Sequence, residues 1–317
     1  MENLEALMPQ LAEHAGLVEV LINDNGSTDN TSQLILQRYN QSDQRVDLHR
    51  NEENIYFIDN FKNLVSRANG KYIYLLGDDD IVSPNFIEIL LPLLQTNTYS
   101  IIHFNRLIGN TNCSNNQIHD REFKGLKEDL SFDDFIFRVM SSPNFMSSII
   151  FSKDIWNRGE SYFRKNRYYG YEFLAQIYFG AIGSRCLYYY MPLVLMRSPV
   201  RTWQKYAFLY TMIGMYNIFE DLDKQIPGVK VRWINRVRHS HFYDFYSALA
   251  MVGIESRTYQ PYKEEIYKIC NSRREKFIAF LMLNCPLGGL TVKMYSKILT
   301  LWRILTRKVA FVRKTNY

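Results

Sequence analysis

Ten residues constrain this chain most: Lys71-Tyr72-Ile73-Tyr74-Leu75-Leu76-Gly77-Asp78-Asp79-Asp80. An apolar run bounded by turn formers predicts a buried strand. It ends in three adjacent carboxylates, which no packing need explains. Side by side they repel, and a buried acid without a partner costs several kcal/mol. A divalent cation is the simplest partner. Hard oxygen donors suit Mg²⁺ or Mn²⁺, which keep waters and take further ligands from substrate phosphates. A solvated acidic turn ahead of a helix N-terminus would satisfy the same residues.

Upstream, helix and strand alternate. Leu4, Leu7, Met8 and Leu11 recur at helical spacing and predict a helix over Glu2 to His14. Leu17 to Ile22 predicts a strand, stopped by the turn formers Asn23 to Asp29. A helix over Asn30 to Tyr39 and a strand over Arg45 to Arg50 follow. The loop Asn51-Glu52-Glu53-Asn54 leads to a helix over Ile58 to Ala68, stopped at Asn69-Gly70. This alternation predicts an α/β fold, a parallel sheet with helices on both faces. In such sheets binding groups gather at the carboxyl ends of the strands. Asp24 to Asp29 and Asp78 to Asp80 both fall there.

Asp24 can accept hydrogen bonds from a nucleobase or a ribose, and Gly26 lets the backbone approach a ligand closely. The same residues would also serve as an Asx-turn joining strand to helix. Further on, helices are expected at Pro84 to Leu94, Ser131 to Met140 (Ser131 as N-cap) and Tyr171 to Phe179. Strands are expected at Ser100 to Leu107, Met146 to Phe151 and Cys186 to Leu195, with an irregular loop over Gly109 to Lys127. From Lys205 the pattern is helical.

These residues carry a resemblance. Val20 to Thr31 and the strand ending Gly77-Asp78-Asp79-Asp80 resemble the strand-and-turn motif and the DxD motif of family 2, inverting glycosyltransferases. Asn51 to Gly70 resembles their asparagine-rich approach to a helix, and Leu-Gly-Asp-Asp-Asp is most similar to the abequosyltransferase-like subgroup. The resemblance is specific over Glu2 to Leu94, weaker to Trp203 and absent beyond. It implies a GT-A fold, the Rossmann-like, mostly parallel sheet of nucleotide-diphospho-sugar transferases, over residues 1–203. A basic, aromatic-rich helical extension would occupy 204–317.

Several roles follow from the resemblance. The nucleotide-sugar donor would be held by Asp24, Asn25, Gly26, Ser27, Asp29, Asn54 and Asn60. Asp78 and Asp80 would carry the Mg²⁺ or Mn²⁺ on its diphosphate, with Asp79 nearer the sugar. Glu172, in Tyr168-Tyr169-Gly170-Tyr171-Glu172-Phe173, matches the family's general base, although a helix-capping Glu reads the same. Arg197, Arg201 and Trp203 resemble a loop that closes over the donor phosphates; two surface arginines and a core tryptophan fit equally. Family members begin with a strand ending in Pro-x-Tyr-Asn. This sequence begins in what reads as the helix after it, so that strand is expected to be missing, through a misassigned start or a truncation.

Composition bounds the rest. A 15% aromatic share, with 23 Tyr and 20 Phe, suits sugar and nucleotide sites as well as a core. The net charge of +6 is concentrated late, and no nucleic-acid signature appears. Cys113, Cys186, Cys270 and Cys285 lie far apart and read as free thiols of a reducing compartment. The acidic first residues do not read as a secretory leader. Over 291–312, Tyr295, Ile298, Trp302, Leu305 and Val309 form an apolar stripe beside basic residues. That suits an anionic inner-membrane surface or a helix packed on the domain. A cytoplasmic or peripheral sugar transferase acting on a lipid-linked or saccharide acceptor of bacterial surface polysaccharide is the expectation. A nucleotidyltransferase and an inactive, partner-binding remnant are its rivals.

Overall fold

The computed structural model describes residues 2–14, 16–39, 46–109, 117–119, 126–140, 145–164, 166–197, 206, 208–239, 245, 249, 252 and 255–284. The chain divides into two compact units, Met1–Arg201 and Thr202–Tyr317.

The first unit opens with α1 (Glu2–Leu11), β1 (Val20–Asp24), α2 (Thr31–Arg38), β2 (Val46–Arg50) and α3 (Phe57–Arg67). It continues with β3 (Tyr72–Tyr74), β4 (Ile81–Val82), α4 (Phe86–Gln95) and β5 (Ile101–Gly109). Then come β6 (Gln117–Ile118), β7 (Lys127–Ser131), α5 (Phe132–Val139), β8 (Ile149–Ser152), α6 (Lys153–Arg158), α7 (Glu172–Gly180) and β9 (Arg185–Arg197). The expected α/β layering is present, but the pairing is mixed. β1 and β2 form a parallel pair of their own. The larger sheet runs β3-β8-β5-β9-β4, with β6 on β5 and β7 on β9. Within it only β5 and β9 are parallel; β3, β4, β6, β7 and β8 all pair antiparallel. The strand expected over Lys71 to Asp78 is ladder-bonded only at Tyr72–Tyr74.

Alternation along β5 builds two cores. Ile102 and Phe104 face a cluster with Leu4, Met8 and Leu11 of α1 and Phe86, Ile87 and Leu90 of α4. His103 points the other way, stacked on Tyr188 with ring centroids 5.4 Å apart and edge-on to Phe135 of α5. Ile101, Ile102 and Phe104 are wholly buried. Each such side chain contributes roughly 1.5–3 kcal/mol relative to exposure. In α3, Ile58, Phe61 and Val65 recur on one face, and all are buried. Ser131 caps α5 as expected, its Oγ accepting the Asp134 N–H at 3.2 Å.

Helices α6 and α7 meet at two glycines. A Cβ on Gly159 would lie 1.9 Å from the Gln176 carbonyl oxygen, and one on Gly180 would lie 1.9 Å from that of Ile155. The backbones therefore touch, and this contact holds the second half of α7 against the end of α6.

The second unit is helical over its described residues. A π-helical stretch, Leu209–Gly214, runs into α8 (Met215–Leu222), followed by α9 (Val229–His239), α10 (Ser256–Tyr259), α11 (Lys263–Ile269) and α12 (Arg273–Asn284). Phe219 of α8 stacks on Trp233 of α9 at 5.2 Å. Glu220 pairs with Lys268 at 2.6 Å and Lys230 at 3.7 Å. Cys186 and Cys270 are buried free thiols, and burial pushes the Cys186 thiol up to about 12. Cys113, Cys285 and the basic stripe over 291–312 lie outside the described residues.

Candidate active site

The turn after β1 folds around Asp24. Its Oδ1 accepts the Ser27 N–H at 2.8 Å and its Oδ2 accepts the Ser32 hydroxyl. The parallel register sets Asp24 opposite Arg50, whose Nε stands 3.5 Å from Oδ2 and whose Nη2 donates to the Ser27 carbonyl at 2.9 Å. Burial works to raise the Asp24 carboxyl, yet the hydrogen bonds from Ser27 and Ser32 and the Arg50 charge outweigh it and hold it below the usual carboxylate range. The carboxylate is thus engaged by its own turn. Asp29 is exposed and anchors the start of α2, its Oδ1 accepting the Thr31 N–H at 3.0 Å.

Asparagines tie this turn to the approach of α3. Asn25 Oδ1 accepts the Ile55 N–H at 3.0 Å and the Asn51 amide at 2.8 Å, and its Nδ2 donates to Asn54 at 3.3 Å and to the Ile55 carbonyl at 2.8 Å. Asn60 Oδ1 accepts from Asn51 at 2.8 Å and from Asn23. Asp24, Asn25, Gly26, Ser27, Asn54 and Asn60 therefore lie together in one constellation. Gly26 packs against the chain itself. At φ +73° its missing Cβ would lie 2.6 Å from the Glu53 carbonyl carbon. The close approach it permits in this structure is that of the chain's own 53–54 backbone.

The second constellation is the acid turn after β3. Asp78 is exposed, whereas Asp80 is buried. A Cβ on Gly77 would lie 3.0 Å from both Asp79 Oδ1 and Asp80 Oδ2, so these two carboxylates fold over the glycine. The carboxylates that converge over Gly77 are those of Asp79 and Asp80, while Asp78 stands exposed beside them. Ser147 holds the Gly77 and Asp80 ends of this turn, its Oγ accepting the Gly77 N–H at 2.9 Å and donating to Asp80 Oδ2 at 2.6 Å. Arg197, the last residue of β9, donates from Nε to the Asp79 carbonyl at 2.6 Å and pairs with Glu2. Asn3 Nδ2 reaches the Gly77 carbonyl at 3.4 Å. Arg201 and Trp203 lie outside the described residues.

Among the described residues, no three Asp, Glu, His or Cys side chains meet around a point that could hold a metal ion. The two converging carboxylates fit a hard cation as a partial shell, the rest coming from water and a bound phosphate.

Glu172 opens α7 fully buried, its Oε2 accepting the Gly170 N–H at 2.9 Å. The loop before it holds Asn166 at φ 63°, Tyr169 at φ 49° and Gly170 at φ 89°. Two left-handed non-glycine residues mark backbone that its surroundings must hold in place. Burial raises the Glu172 carboxyl above its ordinary value, against the hydrogen bonds of its own loop. Next to it, Phe173 packs on Phe57 and Phe61 of α3, at 6.2 and 5.1 Å between ring centroids. Through α3 the start of α7 is thereby joined to the asparagine constellation.

Ser147, Arg50, Asn23 and Asn51 were not foreseen. Arg50 was legible as a cation ending the strand beside Asp24. Ser147, 67 residues from Asp80, gives no local signal.

The sequence profile described as glycosyl transferase family 2 matches residues 2–179. Abequosyltransferase RfbV of Salmonella typhimurium (strain LT2) is 26% identical over 203 residues, which is 59% of this chain and 60% of that protein. The chain thus matches less than two thirds of that relative's length. The crystal structure of S. aureus TarS 1–349 in complex with UDP-GlcNAc superposes with a TM-score of 0.60 at 11% identity, over 93% of this chain and 88% of that one. A second structure of TarS 1–349 gives 0.51 at 11% identity, over 89% and 77%. That likeness shows the fold, the GT-A arrangement of a mixed sheet flanked by helices. With more than half of its length matched by the profile, the chain belongs to glycosyl transferase family 2.

Proposed function

We propose that this chain transfers a sugar from a nucleoside-diphosphate donor to a hydroxyl of a lipid-linked or saccharide acceptor, with inversion, in surface polysaccharide synthesis. The observation that carries the reading is the junction of Asp79, Asp80 and Arg197 at one turn. Two acids and a guanidinium there suit a diphosphate, the acids through Mg²⁺ or Mn²⁺ and the arginine directly. When bound, the cation neutralises charge on the leaving diphosphate. The asparagine constellation would take the nucleoside. TarS, crystallised with UDP-GlcNAc, and the abequosyltransferase support a sugar-nucleotide donor.

In the transfer, the acceptor oxygen bonds to the anomeric carbon as that carbon's bond to the diphosphate oxygen breaks. The acceptor proton passes to Glu172, whose raised carboxyl suits a general base. In the described conformation Glu172 faces its own loop, so residues 166–170 must shift to uncover it.

Release of nucleoside diphosphate by the full chain, with Mn²⁺ and a saccharide acceptor, tests the reading. An Asp79→Ala, Asp80→Ala double variant should lose that release. Undiminished turnover of the double variant would remove the metal role, and released pyrophosphate would mark a nucleotidyltransferase instead.

A further inference from the structure

We propose that the outer face of α12 is a docking surface for an anionic lipid bilayer. This goes beyond the transfer reaction and does not depend on it.

The helix begins with Ser272-Arg273-Arg274-Glu275, a capping box. Ser272 Oγ accepts the Glu275 N–H at 3.1 Å, and Glu275 Oε2 accepts the Asn271 and Ser272 N–H groups at 2.7 and 3.3 Å. The one acid of the helix is thereby buried. Ala279, Met282 and Leu283 complete the inner face. Outward stand Arg273, Arg274 and Lys276, with Phe277 60% and Phe280 49% exposed. The two rings are three residues apart and share a side of the helix.

The inner face is covered by the fold, whereas the outer one leaves Phe277 and Phe280 exposed among the described residues. The outer one sets two phenyl rings beside three cations with no exposed acid of its own helix. Lipid phosphates match the cations, and the rings fit the boundary between headgroups and acyl chains. A second copy matches poorly, because a two-fold contact would bring the same three cations against one another. At 12 residues the helix is far short of a span, and among the described residues no helix is long and apolar enough to cross a membrane. The contact is therefore one of lying on the surface.

The test is flotation of the full chain with phosphatidylglycerol-containing vesicles and with pure phosphatidylcholine vesicles. Binding to the first should exceed binding to the second and fall with added salt. Phe277→Ser with Phe280→Ser should weaken binding about tenfold or more, a shift of roughly 1.4 kcal/mol. Arg273→Gln, Arg274→Gln and Lys276→Gln together should erase the lipid preference. All five positions are exposed, and matched thermal melts verify that the variants fold. Three results would overturn the proposal: no flotation with either vesicle, unchanged flotation of the double Ser variant, or self-association that the same variant abolishes.

Discussion

Ser147 Oγ and Asp80 Oδ2 lie 2.6 Å apart, and the same hydroxyl accepts the Gly77 N–H at 2.9 Å. One side chain thus fixes both ends of the tetrapeptide that carries the acids. Tyr74 anchors Ser147 in turn, its hydroxyl donating to the Ser147 carbonyl at 2.9 Å. Ser147→Ala would leave a buried carboxylate oxygen without this donor. The expected loss of stability is about 1–3 kcal/mol, read by urea denaturation, with a higher Mn²⁺ requirement for turnover. A variant as stable as the parent would show that the turn holds itself.

Arg197 grips the acid turn through its Nε, on the Asp79 carbonyl. Lysine has the charge but not the planar fork, so Arg197→Lys cannot hold the carbonyl and face a phosphate together. We expect donor KM to rise about tenfold, on the order of one lost charge-assisted hydrogen bond, with a small change in melting temperature. An unchanged donor KM would place the diphosphate elsewhere.

Gly159 and Gly180 are where α6 and α7 touch, each with a carbonyl oxygen 1.9 Å from the position of a Cβ. No side-chain rotation relieves a clash with backbone. Gly159→Ala and Gly180→Ala should each cost on the order of 3 kcal/mol or more and reduce soluble yield. Retention of parental melting behaviour by either would mean that the helices can slide apart.

The elements with strong period were legible in the sequence. The helix expected over Ile58 to Ala68 is Phe57–Arg67, and the strand expected over Cys186 to Leu195 is Arg185–Arg197. Ser131 announced its cap because the N-cap rule is local. Pairing direction was not legible, since Ile149–Ser152 has the same apolar pattern parallel or antiparallel. The acid turn was visible as a cluster, but which acids converge was not. Gly77 and Ser147 decide that, and Ser147 comes from a distant segment. The packing of Gly26 on the Glu53–Asn54 backbone was not legible either, since no spacing rule connects the two segments.

With Glu172 as the proposed base, pH should act on both stability and transfer. Burial raises its carboxyl above the ordinary 4.5, so the folded chain holds that proton more tightly than the unfolded chain does. The group's favourable contribution is therefore full below the unfolded value and is lost as pH rises through the higher folded value. Glu172→Gln stays neutral throughout and keeps an oxygen for the Gly170 N–H, so it lacks this loss. Its stability relative to the parent should increase as pH rises from about 4.5, read by denaturant midpoints across pH. Transfer runs the other way. A base must be ionised, so parental kcat should climb as pH passes the raised value, while Glu172→Gln should bind donor normally and transfer little at any pH. Full transfer by Glu172→Gln, with the stability effect intact, would leave Glu172 as the residue that holds the 166–170 loop and assign the proton to another group.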